Sequence, residues 1–338
     1  MTKKPSRTSN VVQPLIPGLT FRKFRGERDI HAMVVCENAC WKADLIDLVM
    51  TDAEMARELK SPINMDPSED IVIAEVDGEY AGHSMVNWQG KPDGRRSYFL
   101  YSFVSGVWRG KGLRELLVRR TEERLMEIAG KHPKEAPKSF ETYANAEPND
   151  WRMVVEREGY RPRWHLFEMV RPNLDGIPDL RLPEGVEVRP VLPEHYRPIW
   201  DAMKEALRDD RSFSEDTYSD AAFERQKISP IFRPELWRIA WAGENVVGGV
   251  HNFVNEEENR EFGRKWGHTE RIFVASGWRK MGIASALIAE SLRVLKDIGM
   301  EQATLDVDTE NPSGALRLYR SLGYEEKMHF SFYSKPLG

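Results

Sequence analysis

Hydrophobic and polar residues alternate along this chain in two periods, and the periods recur in the same order in each half. Residues 71–88, IVIAEVDGEYAGHSMVNW, and 236–253, LWRIAWAGENVVGGVHNF, each hold two alternating apolar runs about a turn. Period-two alternation in such short runs predicts a β-hairpin. A further strand is predicted to end at Phe103-Val104 in the first half and to run from Glu270 to Val274 in the second. A glycine-bearing turn, a long amphipathic helix, another strand (Ala303 to Val307 in the second half) and a last helix follow. Each half opens with a predicted strand, LTFRKFR at 19–25 and GVEVRPV at 185–191, that leads into an amphipathic helical segment. Strands interleaved with helices predict an α/β fold.

The recurrence is a duplication. Phe103-Val104 and Phe273-Val274 lie 170 positions apart, and the same offset superposes Trp108 on Trp278, Arg109 on Arg279, Gly112 on Gly282 and Leu117 on Leu287. Gly159-Tyr160 matches Gly323-Tyr324 at a shorter offset, because the first copy has the longer connection GKHPKEAPKS. A repeat of this length is a domain. Between the copies, RPNLDGIPDLRLPEG (171–185) carries prolines and glycines that cannot sustain a helix or a central strand, so it reads as a linker. The predicted division is a disordered tail at 1–13, a first domain at 14–170, the linker at 171–184 and a second domain at 185–338.

Composition narrows the function classes. The 338 residues are 41% hydrophobic and 30% charged, the balance of a globular protein with a sizeable core. The net charge of −5, with dispersed basic residues, gives no footprint for nucleic acid. The basic stretch RGKGLR (109–114) lacks an aromatic stacking platform. No apolar run approaches the roughly 18 residues of a membrane span, and the polar start MTKKPSRTSN leads into no signal core. Cys36 and Cys40 lie on one face of a predicted helix with no further ligand to complete a metal set, so buried free thiols, a cytoplasmic location and no metal are expected.

The chemistry concentrates in the second copy. Gly282 sits where a strand turns into a helix, so backbone can approach a bulky anion closely, and free N–H groups with the positive dipole end face it. This site suits a pyrophosphate, and neither glycine turn has the Gly-x-x-x-x-Gly-Lys-Ser/Thr spacing of a phosphotransferase. The strand ending at Val274, then Arg279-x-x-Gly282-x-Ala284, and after it Asn311, Ala315, Tyr319 and Gly323-Tyr324, resemble the GNAT superfamily of acetyl-coenzyme A-dependent N-acetyltransferases. The tandem arrangement is similar to that of mycothiol synthases. The resemblance implies two tandem GNAT domains, each a mixed, partly splayed β-sheet flanked by helices, with acetyl-CoA as cosubstrate.

It also implies roles. Ile272, Phe273 and Val274 match the strand whose backbone meets pantetheine and thioester. Arg279, Lys280, Met281, Gly282, Ile283, Ala284 and Ser285 match the pyrophosphate turn. Tyr319 matches the tyrosine that protonates the departing thiolate, or packs beneath the cofactor. Asn311 contacts the cofactor, fixes the strand–helix junction, or caps the helix. Glu270 matches a carboxylate that takes the amine proton; alternatively it is a surface residue paired with Arg271 or Lys265. Strict alternation would put residues 270, 272 and 274 on one face. A free Glu titrates at about 4.3 and an ammonium near 10, so the catalytic role requires burial or a water relay.

The first copy departs at each place, with Leu100 for Glu270, Arg114 for Ala284, Glu147 for Asn311 and Val155 for Tyr319. It is therefore expected to be non-catalytic. NEEENREFGRKWGH (255–268) is expected as a solvated hairpin extension or an acceptor border, and Asp209, Asp210, Glu215 and Asp216 as attractors of a cationic amine or as surface charge. The expected protein acetylates a small-molecule amine, as a monomer or homodimer. Acetylation of protein or peptide amines and a non-catalytic acyl-CoA sensor are the alternatives.

Overall fold

The computed structural model describes residues 16–311 and 314–337; the expected tail at 1–13 lies outside them. In the first half the elements run β1 (Leu19–Lys23), α1 (Glu27–Ala43), α2 (Asp52–Lys60), α3 (Pro67–Asp70), β2 (Ile71–Val76), β3 (Glu79–Gly90), β4 (Arg96–Val104), α4 (Leu113–Gly130), β5 (Lys138–Asn145), α5 (Asp150–Arg157) and β6 (Arg161–Arg171). The second half continues with β7 (Glu187–Val188), α6 (Tyr196–Ala206), α7 (Asp220–Lys227), β8 (Arg238–Ala242), β9 (Asn245–Phe253), α8 (Glu256–Glu261), β10 (Trp266–Val274), α9 (Ile283–Asp297), β11 (Gln302–Asp308), α10 (Ala315–Ser321) and β12 (Glu325–Pro336). Both predicted hairpins form, as β2–β3 and β8–β9.

All these strands join one mixed sheet in the order β1-β2-β3-β4-β5-β12-β6-β11-β10-β9-β8-β7. The halves exchange their last strands. β12 pairs antiparallel with β5 of the first half, and β6 pairs antiparallel with β11 of the second. The burial pattern of each strand explains the exchange. Met169 of β6 sits in the second-half core with Leu305 and Val307, whereas Tyr333 of β12 sits in the first-half core with Tyr98 and Val155. Full burial of a large apolar side chain stabilises by about 1.5–3 kcal/mol, so each strand is held mainly by the core of the other half. Polar contacts add to this: Tyr333 Oη donates to Glu156 at 2.9 Å and Lys335 Nζ to Glu122 at 2.7 Å.

Segment 255–268 connects the antiparallel strands β9 and β10, but it is structured rather than a simple loop. Asn255 caps a short helix, α8, by accepting from the Glu258 N–H, and β10 starts within the segment at Trp266. Its Arg264 stacks on Trp266 and pairs with Asp47 of the first half at 3.1 Å, so this one charge of the cluster makes an interdomain contact. Cys36 and Cys40 are buried free thiols on α1.

Candidate active site

Each half has one parallel strand pair that opens partway along. In the second half the β10–β11 ladder covers Trp266–His268 against Gln302–Thr304, and the strands then part. In the first half the β4–β5 ladder covers Arg96–Phe99 against Lys138–Glu141. The helices that follow begin alike, each with glycine in the left-handed region, Gly112 at φ 83° before α4 and Gly282 at φ 83° before α9. A Cβ built on Gly282 would meet nothing within 4 Å, so the space over this turn is open. The turn fits a phosphate group: α9 presents its free N–H groups there, Gly282 and Met281 are exposed, and Ile283 is buried as an anchor.

Beyond the turn the two copies diverge. β4 pairs with β3 in unbroken register from Gly82–Val104 to Gly90–Arg96. β10 carries a bulge between Glu270 and Phe273, with Arg271 at φ 47°. A non-glycine residue in that region costs about 1–2 kcal/mol, a strain typical of functional sites. The bulge overturns the expectation that residues 270, 272 and 274 share a face. Ile272 and Val274 pack on the α9 core, Phe273 is buried with α6 and α7, and Glu270 lines a cavity on that second side.

Glu270 is half-buried where the strands part, and its Oε1 accepts from the Asp306 N–H across the gap at 3.2 Å. It pairs with neither residue expected for a surface role, since Lys265 bonds Glu301 at 2.8 Å and Arg271 donates to Gln226. Burial raises its pKa well above the usual carboxylate range, and the charge of Asp306 adds to the rise. Asp306 is itself pushed up to about 7 by burial and then by Glu168 and Glu258. Glu168 is its cross-strand partner on β6, so the exchanged strand of the first half tunes this end of the site.

Tyr319 lies on α10, 7% exposed, edge-on to Tyr324, whose hydroxyl is 2.8 Å from Thr269 Oγ1. Burial and then the charge of Glu270 raise its pKa, which keeps the phenol protonated. Asn311 precedes α10, whose N-cap is Gly314; its backbone N–H donates to Asp308 at 3.2 Å, closing the turn after β11. Arg279 donates to the carbonyls of Val274 (3.2 Å) and Ala206 (2.8 Å), tying the turn to β10 and the end of α6. Lys280 stands at φ 65°, and Ala284 and Ser285 are half-buried in the first turn of α9.

The cavity beside Glu270 has a volume of about 300 Å³. Trp200, Phe232, Trp237 and Phe253 give it aromatic walls, and Arg57 and Glu58 reach it from α2 of the first half. His251, the cross-strand partner of Glu270, stacks on Trp237 at 3.9 Å between ring centres. Burial and then Arg271 lower its pKa well below the usual histidine value, so the ring is neutral. Pattern reading missed these cavity residues; a histidine opposite Glu270 in the hairpin strand was the available signal. Three of the expected acidic attractors already have partners. Asp210 accepts from Ser212, Glu215 pairs with Lys204 and Arg208, and Asp216 accepts from the Gly90 N–H of the first half at 2.6 Å.

In the first half Arg114 fills the corresponding space. It is 3% exposed, bonds Asp44 at 3.0 Å, Asp150 at 3.2 Å and the Ser102 carbonyl at 3.0 Å, and lies 4.5 Å from the centre of the Trp151 ring.

A mixed sheet whose parallel pair parts opposite a helix N-terminus defines the class, an α/β fold with two like halves. Residues 200–324 match the model described as the acetyltransferase (GNAT) family. A mycothiol acetyltransferase of Geodermatophilus obscurus is 24% identical over 298 residues, covering 87% of this chain and 90% of that protein. A GCN5-related N-acetyltransferase from Sphaerobacter thermophilus has the same fold with a TM-score of 0.71 at 26% identity, over 95% of this chain and 96% of that one. A tandem GNAT protein from the clavulanic acid biosynthesis pathway aligns over 95% of this chain and 99% of its own, with a TM-score of 0.64 at 13% identity. No helix among the described residues is long and apolar enough to cross a membrane.

Proposed function

We propose that the second half, the unit at 185–338, transfers an acetyl group from acetyl-CoA to the primary amine of a small molecule, and that the first half, the unit at 14–170, walls the acceptor cavity without catalysing. One observation carries the reading: the two copies share a glycine turn, but only the second has a bulged strand with a carboxylate at the parting. The first has a buried arginine in that space.

Acetyl-CoA supplies the thioester when bound. The amides of Lys280 to Ser285 and the α9 N-terminus would hold its pyrophosphate, and the backbone of Ile272–Val274 would meet its pantetheine arm. Glu270 takes the proton of the amine as the new amide bond forms. Its raised pKa brings it closer to the amine, which improves proton transfer at neutral pH. Tyr319, kept protonated by burial, gives its proton to the sulfur as the C–S bond breaks. A concave cavity lined by residues of both halves favours a small molecule over a polypeptide. Two buried unpaired thiols suit a reducing cytoplasm.

The test is thiol release from acetyl-CoA with a panel of small amines and with peptides, for the wild type and Glu270→Gln. Amine-dependent release that the substitution lowers supports the reading. Tight acetyl-CoA binding without release from any acceptor would make the protein a sensor, and release with peptides alone would move the acceptor class.

A further inference from the structure

The cavity beside Glu270 gathers three guanidinium groups, from Arg57 on α2, Arg225 on α7 and Arg271 in the bulge, against two carboxylates, Glu58 and Glu270. Burial biases both carboxylates toward their neutral forms, with Arg225 and Arg57 opposing the rise at Glu58. A cavity of that balance is positive, and Arg225 already opposes the ionisation of Arg271. Among the described residues neither Arg57 nor Arg225 forms a hydrogen bond or an ion pair, whereas the guanidinium groups of the first-half network are all engaged. A second polar group in the cavity also lacks a partner: Nε2 of His251 is buried and accepts and donates no hydrogen bond among the described residues. Like charges cluster at a cost unless an anion joins them, and a planar guanidinium binds carboxylate or phosphate through two parallel hydrogen bonds. A simple ammonium would be repelled from such a cavity.

We propose that the acceptor is an amine that also carries an anionic group, a carboxylate or a phosphate, which Arg57, Arg225 and Arg271 bind while Glu270 faces the amine. The inference rests on the transferase reading above and names the acceptor class for it. It also gives the first half a task, because Arg57 comes from α2. Trp200, Phe232, Trp237 and Phe253 would cover the apolar body between the two charged ends.

Two matched pairs test it: phenylalanine against 2-phenylethylamine, and glucosamine 6-phosphate against glucosamine. Each is measured by thiol release from acetyl-CoA, and by tryptophan fluorescence titration with coenzyme A present, since Trp200 and Trp237 line the cavity. The anionic member of at least one pair is expected to be preferred by about tenfold or more, the range of a charge-assisted hydrogen bond. The pair that discriminates separates carboxylate from phosphate. Arg57→Gln and Arg225→Gln should each raise KM for that member about tenfold, with kcat changed less than about threefold and the neutral member unaffected. Equal or better use of the neutral member in both pairs, or unchanged KM in both variants, would overturn the proposal. If no amine releases thiol, the transferase reading fails, and the fluorescence titrations still decide whether the cavity prefers an anion.

Discussion

Arg114 offers the sharpest check on the view that the first copy has exchanged a cofactor groove for a structural ion network. Arg114→Ala removes a side chain only 4% exposed that binds Asp44, Asp150 and the Ser102 carbonyl and lies over Trp151. Removing one member of a buried ion pair destabilises by about 3–5 kcal/mol, because the remaining charge stays buried. Arg109 still reaches Asp44, which relieves part of that cost, while the lost cation–π contact adds about 1–2 kcal/mol. The expected loss is therefore about 3–4 kcal/mol, or a fall in Tm of order 10 °C at about 2–4 °C per kcal/mol. Urea unfolding with an unchanged m-value measures it. Isothermal titration should give one equivalent of coenzyme A bound per chain for both proteins, since the first copy also lacks the bulge. A loss below about 1 kcal/mol, or two equivalents bound by the wild type, would refute the reasoning.

Three further outcomes are expected. Glu270→Gln should lower kcat/KM by about 100-fold or more and abolish the acid limb of its pH profile, which in the wild type should lie well above pH 4.3. The folded-state pKa of Glu270 is raised, so its contribution to stability is present below about pH 4.3 and lost as pH rises through the folded value; Glu270→Gln should melt no lower than the wild type at pH 8. Tyr319→Phe should cut kcat by about 100-fold while the Kd for acetyl-CoA stays within about twofold, checked by rapid-quench turnover and titration. Gly282→Ala should cost about 1–2 kcal/mol in urea unfolding through backbone strain at φ 83° alone, and should raise KM for acetyl-CoA because its Cβ enters the open space over the turn.

Much of the fold was legible because its signals are local. Alternating runs predicted the β2–β3 and β8–β9 hairpins, and a glycine between strand and helix predicted the αL turns at Gly112 and Gly282. The offset of the two copies predicted their like order of elements, and the departures Leu100 and Arg114 marked where they differ. Glu270 and Tyr319 were singled out by the resemblance of their positions to the family pattern, and burial of both side chains supplies pKa shifts that no pattern carries.

By itself the sequence determined the period of each element, the turn that accommodates an anion, and which copy retains acidic and phenolic groups, since each depends on neighbours within a few residues. Only the tertiary structure decided the rest. The bulge at Arg271 breaks strict alternation and turns Glu270 toward the cavity, and nothing in a run of apolar residues announces one extra residue in a ladder. The exchange of β6 and β12 depends on which core buries Met169 and Tyr333, and both cores are equally apolar to a pattern. The cavity joins Arg57 and Glu58 of the first half to Arg225, Glu270 and Arg271 of the second, residues too far apart in the chain for any local pattern to group them.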